Sequence, residues 1–194
     1  MKNSWMIKLK KTLIYYRKKK LGGLPGFFGV KMIRKFKKTD SDEIMQIWLD
    51  CNINAHDFVA KEYWQKNYPF VRDAIQYAEV YIYEIDQKIV AFIGLQNDYI
   101  AGIFVKKDFQ GQGIGQQLLN YAKDRHTELT LSVYEKNKNA VNFYVKHGFS
   151  IEKSSVDTDT GEVDYLMKWK RKNADRQIFS QYECWLTKRS TPIN

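Results

Sequence analysis

Six residues in the middle of the chain, Gln110-Gly111-Gln112-Gly113-Ile114-Gly115, have the composition of an anion cradle. Glycines at 111, 113 and 115 remove the Cβ atoms that would keep backbone N–H groups from closing round a ligand, and they permit positive φ where the chain must turn. Ile114, Leu118, Leu119 and Ala122 then recur at helical spacing. The unsatisfied N–H groups of that helix's first turn therefore point back into the glycine turn with a partial positive charge. Phosphate is the natural occupant. A Walker loop, GxxxxGK[ST], is absent, and the dinucleotide fingerprint GxGxxG fails because the third glycine comes one residue early.

Three further residues carry functional groups that could act beside such a loop. Tyr144 shares a helical face with Ala140, Phe143 and His147, so its ring is expected to be buried whether it packs or reacts. Asn137 stands where a helix begins and reads either as a cap or as a ligand contact. His56 falls in a predicted loop, Asn52 to Asp57, and is the one histidine with a pKa in range and a place away from a helix end. It reads as a satisfied structural histidine or as a substrate-pocket residue. His126 and His147 close helices, where a cation is favourable.

The pattern Gln110-x-x-Gly113-x-Gly115 resembles the acyl-CoA pyrophosphate loop of the GNAT superfamily of N-acetyltransferases. Downstream, Asn137-x-x-Ala140-x-x-Phe143-Tyr144 with Gly148-Phe149 resembles the second motif of the same superfamily, in the same order and separation. The likeness runs from about Met32 to Arg171. It is nearest to small bacterial enzymes with a His-containing loop, a Tyr-Trp helix and a terminal Met167-Lys168-Trp169 strand, some of which acetylate protein lysines.

The resemblance implies an acetyl-CoA-dependent N-acetyltransferase acting on a primary amine: a protein lysine, an N-terminus or a small molecule. It implies that Gln110, Gly111, Gln112, Gly113, Ile114 and Gly115 receive the pyrophosphate. Ile103, Phe104 and Val105 would offer backbone to the pantetheine arm, one N–H polarising the thioester carbonyl, where a fixed donor is worth most in the transition state. Asn137 would reach the same arm, and Tyr144 would protonate the departing thiolate. Many relatives carry a glutamate base in the central strand; here that strand, YIAGIFV, has none. Water, Tyr144 after turnover or a loop group such as His56 must serve. A non-catalytic acyl-CoA-binding or regulatory module is the alternative reading. No metal is implied.

The elements that must position these residues follow from the order of patterns. A short strand near Met32 to Lys37 precedes a helix capped at Thr39, Asp40 or Ser41, with Ile44, Ile47, Trp48 and Cys51 as its buried stripe. A second helix runs through Phe58, Tyr63, Trp64, Tyr68, Phe70 and Val71, and Pro69 is expected to break or kink it. Strands around Val80 to Ile85 and Ile89 to Leu95 pair across Asp86-Gln87, and Asn97-Asp98 turns into the central strand. That strand alternates apolar residues on both faces, as if covered on both sides. After the glycine turn and its helix come a fifth strand, Leu129 to Tyr134, a short helix from about Asn139 closed by Gly148, and a final hairpin of Phe149 to Lys153 with Asp164 to Lys170. The expected fold is α/β (α+β): the GNAT fold, a mixed central sheet of about seven strands, splayed at the cofactor and flanked by about four helices.

Composition agrees with one domain. The chain has 194 residues, of which 44% are hydrophobic and 15% aromatic, ample for a core. Of the net charge of +10, nine units belong to residues 1–31, which hold no acidic side chain, so the remainder carries +1. Residues 1–31 read as a basic extension, expected to be flexible, in which Trp5, Leu9, Leu13 and Tyr16 could form an amphipathic helix toward an anionic surface. Residues 32–172 form the expected domain, for which no nucleic-acid partner is foreseen, and 173–194 a C-terminal appendage with a weak helical pattern. Cys51 and Cys184 have neither metal nor disulfide spacing, and a cytoplasmic monomer or homodimer is the expectation.

Overall fold

Strands β1 (Lys31–Lys35), β2 (Glu79–Ile85), β3 (Lys88–Gln96), β4 (Tyr99–Val105), β5 (Glu128–Tyr134), β6 (Ser150–Val156) and β7 (Val163–Lys170) form one sheet in the order β1-β2-β3-β4-β5-β7-β6. Helices α1 (Ser41–Ala55), α2 (Lys61–Ala74), α3 (Ile114–Lys123) and α4 (Lys138–Lys146) flank it. This computed structural model describes residues 29–172; the leader pattern at Trp5 to Tyr16 and the apolar stretch at Ile178 to Leu186 lie outside the described residues. Among the described residues no helix is long and apolar enough to cross a membrane.

The two tight turns of the N-terminal half follow from residues held at positive φ. Asp86 and Gln87, at φ 51° and 67°, join β2 to β3, and Asn97 at 54° begins the turn into β4. Positive φ at both central residues gives a two-residue turn the twist that matches its strands. β1 begins at Lys31, and Val30 is already tied to the β2–β3 turn: its N–H donates to Asp86 Oδ1 at 2.9 Å and its carbonyl accepts from Asp86 N at 3.0 Å.

Side chains from opposite faces of β2 and β3 feed two cores. Tyr81, Tyr83, Ile93 and Leu95 pack with Leu118 and Leu119 of α3, Tyr144 of α4 and Leu129 of β5. Val80, Ile82 and Phe92 pack with Ile44, Ile47 and Trp48 of α1 and Trp64 of α2. Two expectations about the helices need correction. α1 runs on to Ala55, so the predicted loop from Asn52 is helical and His56 is the C-cap. α2 passes through Pro69 unbroken. Proline removes one main-chain donor, and the rings of Trp64 and Tyr68, both edge-on to Trp48, anchor α2 to α1.

A partly buried ion triad locks the start of the domain. Arg34 on β1 donates from Nε to Glu84 Oε1 at 2.7 Å and from both terminal nitrogens to Asp40, at 2.7 and 3.0 Å. Asp40 and Glu84 are both buried, and Asp40 Oδ2 also accepts from Lys37 N.

The sheet comes apart in the middle. β4 and β5 are parallel neighbours with one paired position, Tyr99 with Thr130. Immediately beyond it the β3–β4 register shifts: Gly94 faces Gly102, Leu95 faces Ile100, and Ala101 is the extra residue. Such a bulge bends its strand and increases the local twist. From there β4 keeps β3 as its neighbour and leaves β5.

Candidate active site

The opening between β4 and β5 is a cavity of about 1060 Å³. Its lining brings together eleven of the twelve residues that the sequence singles out. Ile103, Phe104 and Val105 form one wall, Gln110, Gly111, Gly113, Ile114 and Gly115 one end, Asn137 and Tyr144 the opposite wall, and His56 borders it from α1. Gln112 is the exception; its exposed side chain turns back to donate to the carbonyl of Asp108 at 3.1 Å. The expectation that β4 is covered on both faces is not met. Ile100 alone of its seven residues is buried, because the bulge and the parting of the strands leave the rest facing the cavity or solvent.

The glycine turn has the shape that the spacing suggests, with one distinction among its glycines. Gly111 and Gly113 adopt φ of 72° and 77°, and a Cβ on either would meet no protein atom within 4 Å. Gly115 lies in the first turn of α3 with no positive φ, and a Cβ there would sit in ordinary contact, 3.7 Å from the Phe143 ring. Gly113 is the N-cap of α3 and no side chain caps that end, so the first N–H groups stay open toward the cavity. Ile114 buries its side chain in the core and holds the helix end in place. Gln110 steadies the turn by donating from Nε2 to the carbonyl of Val105 at 3.0 Å. This is an open helix N-terminus behind a cradle that only glycine shapes, and it fits a diphosphate.

On the facing wall, Asn137 caps α4: its Oδ1 accepts from Ala140 N at 3.1 Å. Tyr144 is 7% exposed, packed edge-on to Phe143 and Phe149, and burial holds its phenol well above the usual range, so it stays a proton carrier. His56 ties α1 to this wall. Its Nδ1 lies 3.1 Å from the carbonyl of Asn52 and its Nε2 lies 3.2 Å from Asn137 Nδ2. The ring stacks on Trp64, with centroids 5.1 Å apart, and meets Phe58 and Tyr134 edge-on. Burial lowers its pKa below 6.5, against the Asn52 hydrogen bond, which raises it.

Two contributors carry no motif. Asn52 acts through its main-chain carbonyl, which no sequence pattern marks. Cys51 is placed by helical periodicity in the buried stripe of α1, yet it is half-buried and lines the cavity. Its thiol, pushed up to about 11 by burial, points to the carbonyl of Val105 at 3.3 Å.

Comparison with known proteins decides the family. A family model described as an acetyltransferase (GNAT) domain matches residues 76–151. The peptidyl-lysine N-acetyltransferase YiaC of Escherichia coli strain K12 is 33% identical over 140 residues, 71% of this chain and 96% of that protein. The chain belongs to the GNAT acetyltransferase family. A second peptidyl-lysine N-acetyltransferase from the same organism, YjaB, is 33% identical over 138 residues, 70% of this chain and 89% of its own length. Among solved structures, apo-form YjaB from Escherichia coli superposes with a TM-score of 0.66 at 27% identity, covering 74% of this chain and 99% of that one. The PaiA N-acetyltransferase of Thermoplasma acidophilum, solved in complex with coenzyme A, shares the fold, with a TM-score of 0.60 at 21% identity over 73% and 99% of the two chains. The GNAT fold foreseen from the two motifs is therefore the observed one. The protein is an acetyl-CoA-dependent N-acetyltransferase whose acceptor is an amine.

Proposed function

We propose that the acceptor is the side-chain amine of lysine in a protein or peptide, acetylated by direct attack in a ternary complex. The observation that carries the reading is the meeting of the glycine turn, the unpaired edge of β4 and Tyr144 in one cavity. The choice of lysine is supported by two relatives named peptidyl-lysine N-acetyltransferases.

Acetyl-CoA, when bound, supplies the activated acyl group. The N–H groups of residues 111 to 115 neutralise its diphosphate, and Gly111 and Gly113 let the main chain approach. The backbone of Ile103 to Val105, which β5 leaves unpaired, holds the amide-bearing arm, with Asn137 opposite. Tyr144 keeps its proton through burial and releases it to the departing sulfur. An intact Tyr144 beside the cradle argues against a module that only binds. The reading includes a cytoplasmic setting, a catalytic unit of residues 32–172, contact of the basic leader with anionic surfaces, and a monomer or homodimer.

Mass spectrometry of three probes incubated with acetyl-CoA tests the acceptor: a blocked peptide with one lysine, a lysine-free peptide with a free N-terminus, and a small diamine. One acetyl group on the lysine peptide, in preference to the others, is expected. Preference for either other probe would overturn the lysine assignment while leaving the acetyltransferase intact.

A further inference from the structure

We propose that His56 is the general base of this reaction, with Asn52 and Asn137 as the positioning residues that fix its tautomer and direction. The inference rests on the cavity being the acetyl-transfer site.

Two neighbours force the same protonation pattern independently. The Asn52 carbonyl can only accept, so Nδ1, 3.1 Å away, carries the ring proton. Asn137 spends its Oδ1 on the N–H of Ala140, which turns its Nδ2 toward the ring. A donor there, 3.2 Å from Nε2, requires that Nε2 present a lone pair. The imidazole is thus neutral with its basic nitrogen aimed at Asn137 at the start of α4, and His56 and Tyr144 line the same cavity. Trp64 stacks on the ring while Phe58 and Tyr134 meet it edge-on, and together they fix its plane at the border of the cavity.

The other candidates along the cavity are less suited. β4 contributes no carboxylate. Cys51 is held as a thiol. Asp50 is exposed and takes a hydrogen bond from Gln46. His147 lies at the far end of α4, its Nδ1 2.7 Å from the carbonyl of Phe143 and its ring against Phe143, the residue that neighbours Gly115.

The proton inventory closes. A lysine ammonium gives one proton to Nε2, displacing the long, neutral Asn137 contact, and His56 passes it to solvent. The freed amine forms the C–N bond, and the C–S bond breaks with its electron pair on sulfur. The second nitrogen proton goes to Nε2 and the Tyr144 proton to sulfur; transfer from His56 back to Tyr144 through water restores both residues. The net release is one proton per turnover.

The groups facing His56 leave its low pKa in place. Tyr134 on β5 directs its hydroxyl to Asp157 at 2.6 Å. Lys136 lies 5.5 Å over the Phe58 ring and is paired with Glu162. Trp64 of α2 carries no charge, and Tyr144 stays protonated. The neutral, basic form of His56 is therefore present at pH 7 and is lost only as pH falls through its lowered value, below the ordinary 6.5.

The test compares wild type with His56→Gln in the full chain, using a blocked peptide with one lysine and the same peptide carrying an aromatic amine that is already neutral at pH 7. Loss of a general base predicts a fall in kcat/KM of about 10²-fold or more with lysine, a much smaller fall with the aromatic amine, and an unchanged acetyl-CoA dissociation constant. The wild-type limb that falls below pH 6.5 should be missing from the variant's profile. Equal losses with both acceptors, or a loss under about threefold with lysine, would overturn the assignment. Imidazole ¹⁵N shifts decide without kinetics: a neutral Nδ1–H tautomer at pH 7 is expected, and an Nε2–H tautomer or a charged ring would overturn it. Failure of the wild type to bind acetyl-CoA would remove the acetyl-transfer reading itself, a separate result.

Discussion

Tyr99 and Thr130 face each other as the one registered pair of β4 and β5, and the bulge at Ala101 comes two residues after that pair on β4. The cavity exists because pairing begins there and is then abandoned. Gly102, the residue after the bulge, is where the bend can be tested. A Cβ at 102 would lie 2.4 Å from the Phe104 ring, which stacks on Phe92 with centroids 4.8 Å apart. Gly102→Ala should push Phe104 off that stack, costing about 1–3 kcal/mol of stability by urea unfolding and weakening acetyl-CoA binding. An unchanged midpoint would mean that the ring swings away freely.

Two glycines of the turn should respond oppositely. Gly113→Val places a branched side chain at φ 77° in the cradle and should abolish the rise in melting temperature that acetyl-CoA gives and NAD or ATP does not. Gly115→Ala occupies a helical position with an ordinary contact to Phe143. It should stabilise the fold by about 0.4–1 kcal/mol and keep binding. Loss of binding in Gly115→Ala would show that the diphosphate needs the main chain closer than the cradle suggests.

Tyr144→Phe keeps the ring between Phe143 and Phe149 and removes the hydroxyl. Turnover should fall toward the lower end of about 10²- to 10⁴-fold, since a thiolate already leaves readily. The loss should appear in kcat, with acetyl-CoA affinity retained. A variant within about threefold of wild type would make the tyrosine a packing residue.

Arg34→Ala leaves two buried carboxylates, Asp40 and Glu84, without their cation, and should cost about 3 kcal/mol or more. Burial pushes the Asp40 carboxyl up, and hydrogen bonds from Arg34 and the Lys37 main chain outweigh it, so its folded pKa lies below 3.8. That stabilisation is complete above pH 3.8 and is lost as pH falls through the lower folded value. Arg34→Ala should flatten this acid limb in a stability-against-pH series; an unchanged limb would assign it to other carboxylates.

What could be read beforehand divides by how local the signal is. The β2–β3 turn, the glycine turn and the Asn137 to Gly148 helix are each set by residues adjacent in the chain, and each lies within a residue or two of its expected place. β4 misled, because apolar alternation reports what can be buried and is silent on a neighbouring strand that departs. The sequence reads Asn52 to Asp57 as a loop, whereas the helix runs on to Ala55, with the Asn52 and Asn54 side chains bonded to carbonyls one turn earlier. The Arg34, Asp40 and Glu84 triad joins residues 6 and 50 positions apart, and only the folded chain reveals it.

The parting of β4 from β5 also leaves an unpaired strand edge inside a seven-stranded sheet. On the rim of a sheet such an edge recruits other strands and seeds aggregation. Here it lies at the bottom of a slot between α1 and α4, and Cys51 and Gln110 already occupy the Val105 carbonyl. The fold thus turns a hazard of β-structure into a docking edge, kept inside the sheet and facing the cavity instead of the rim where another chain could pair with it.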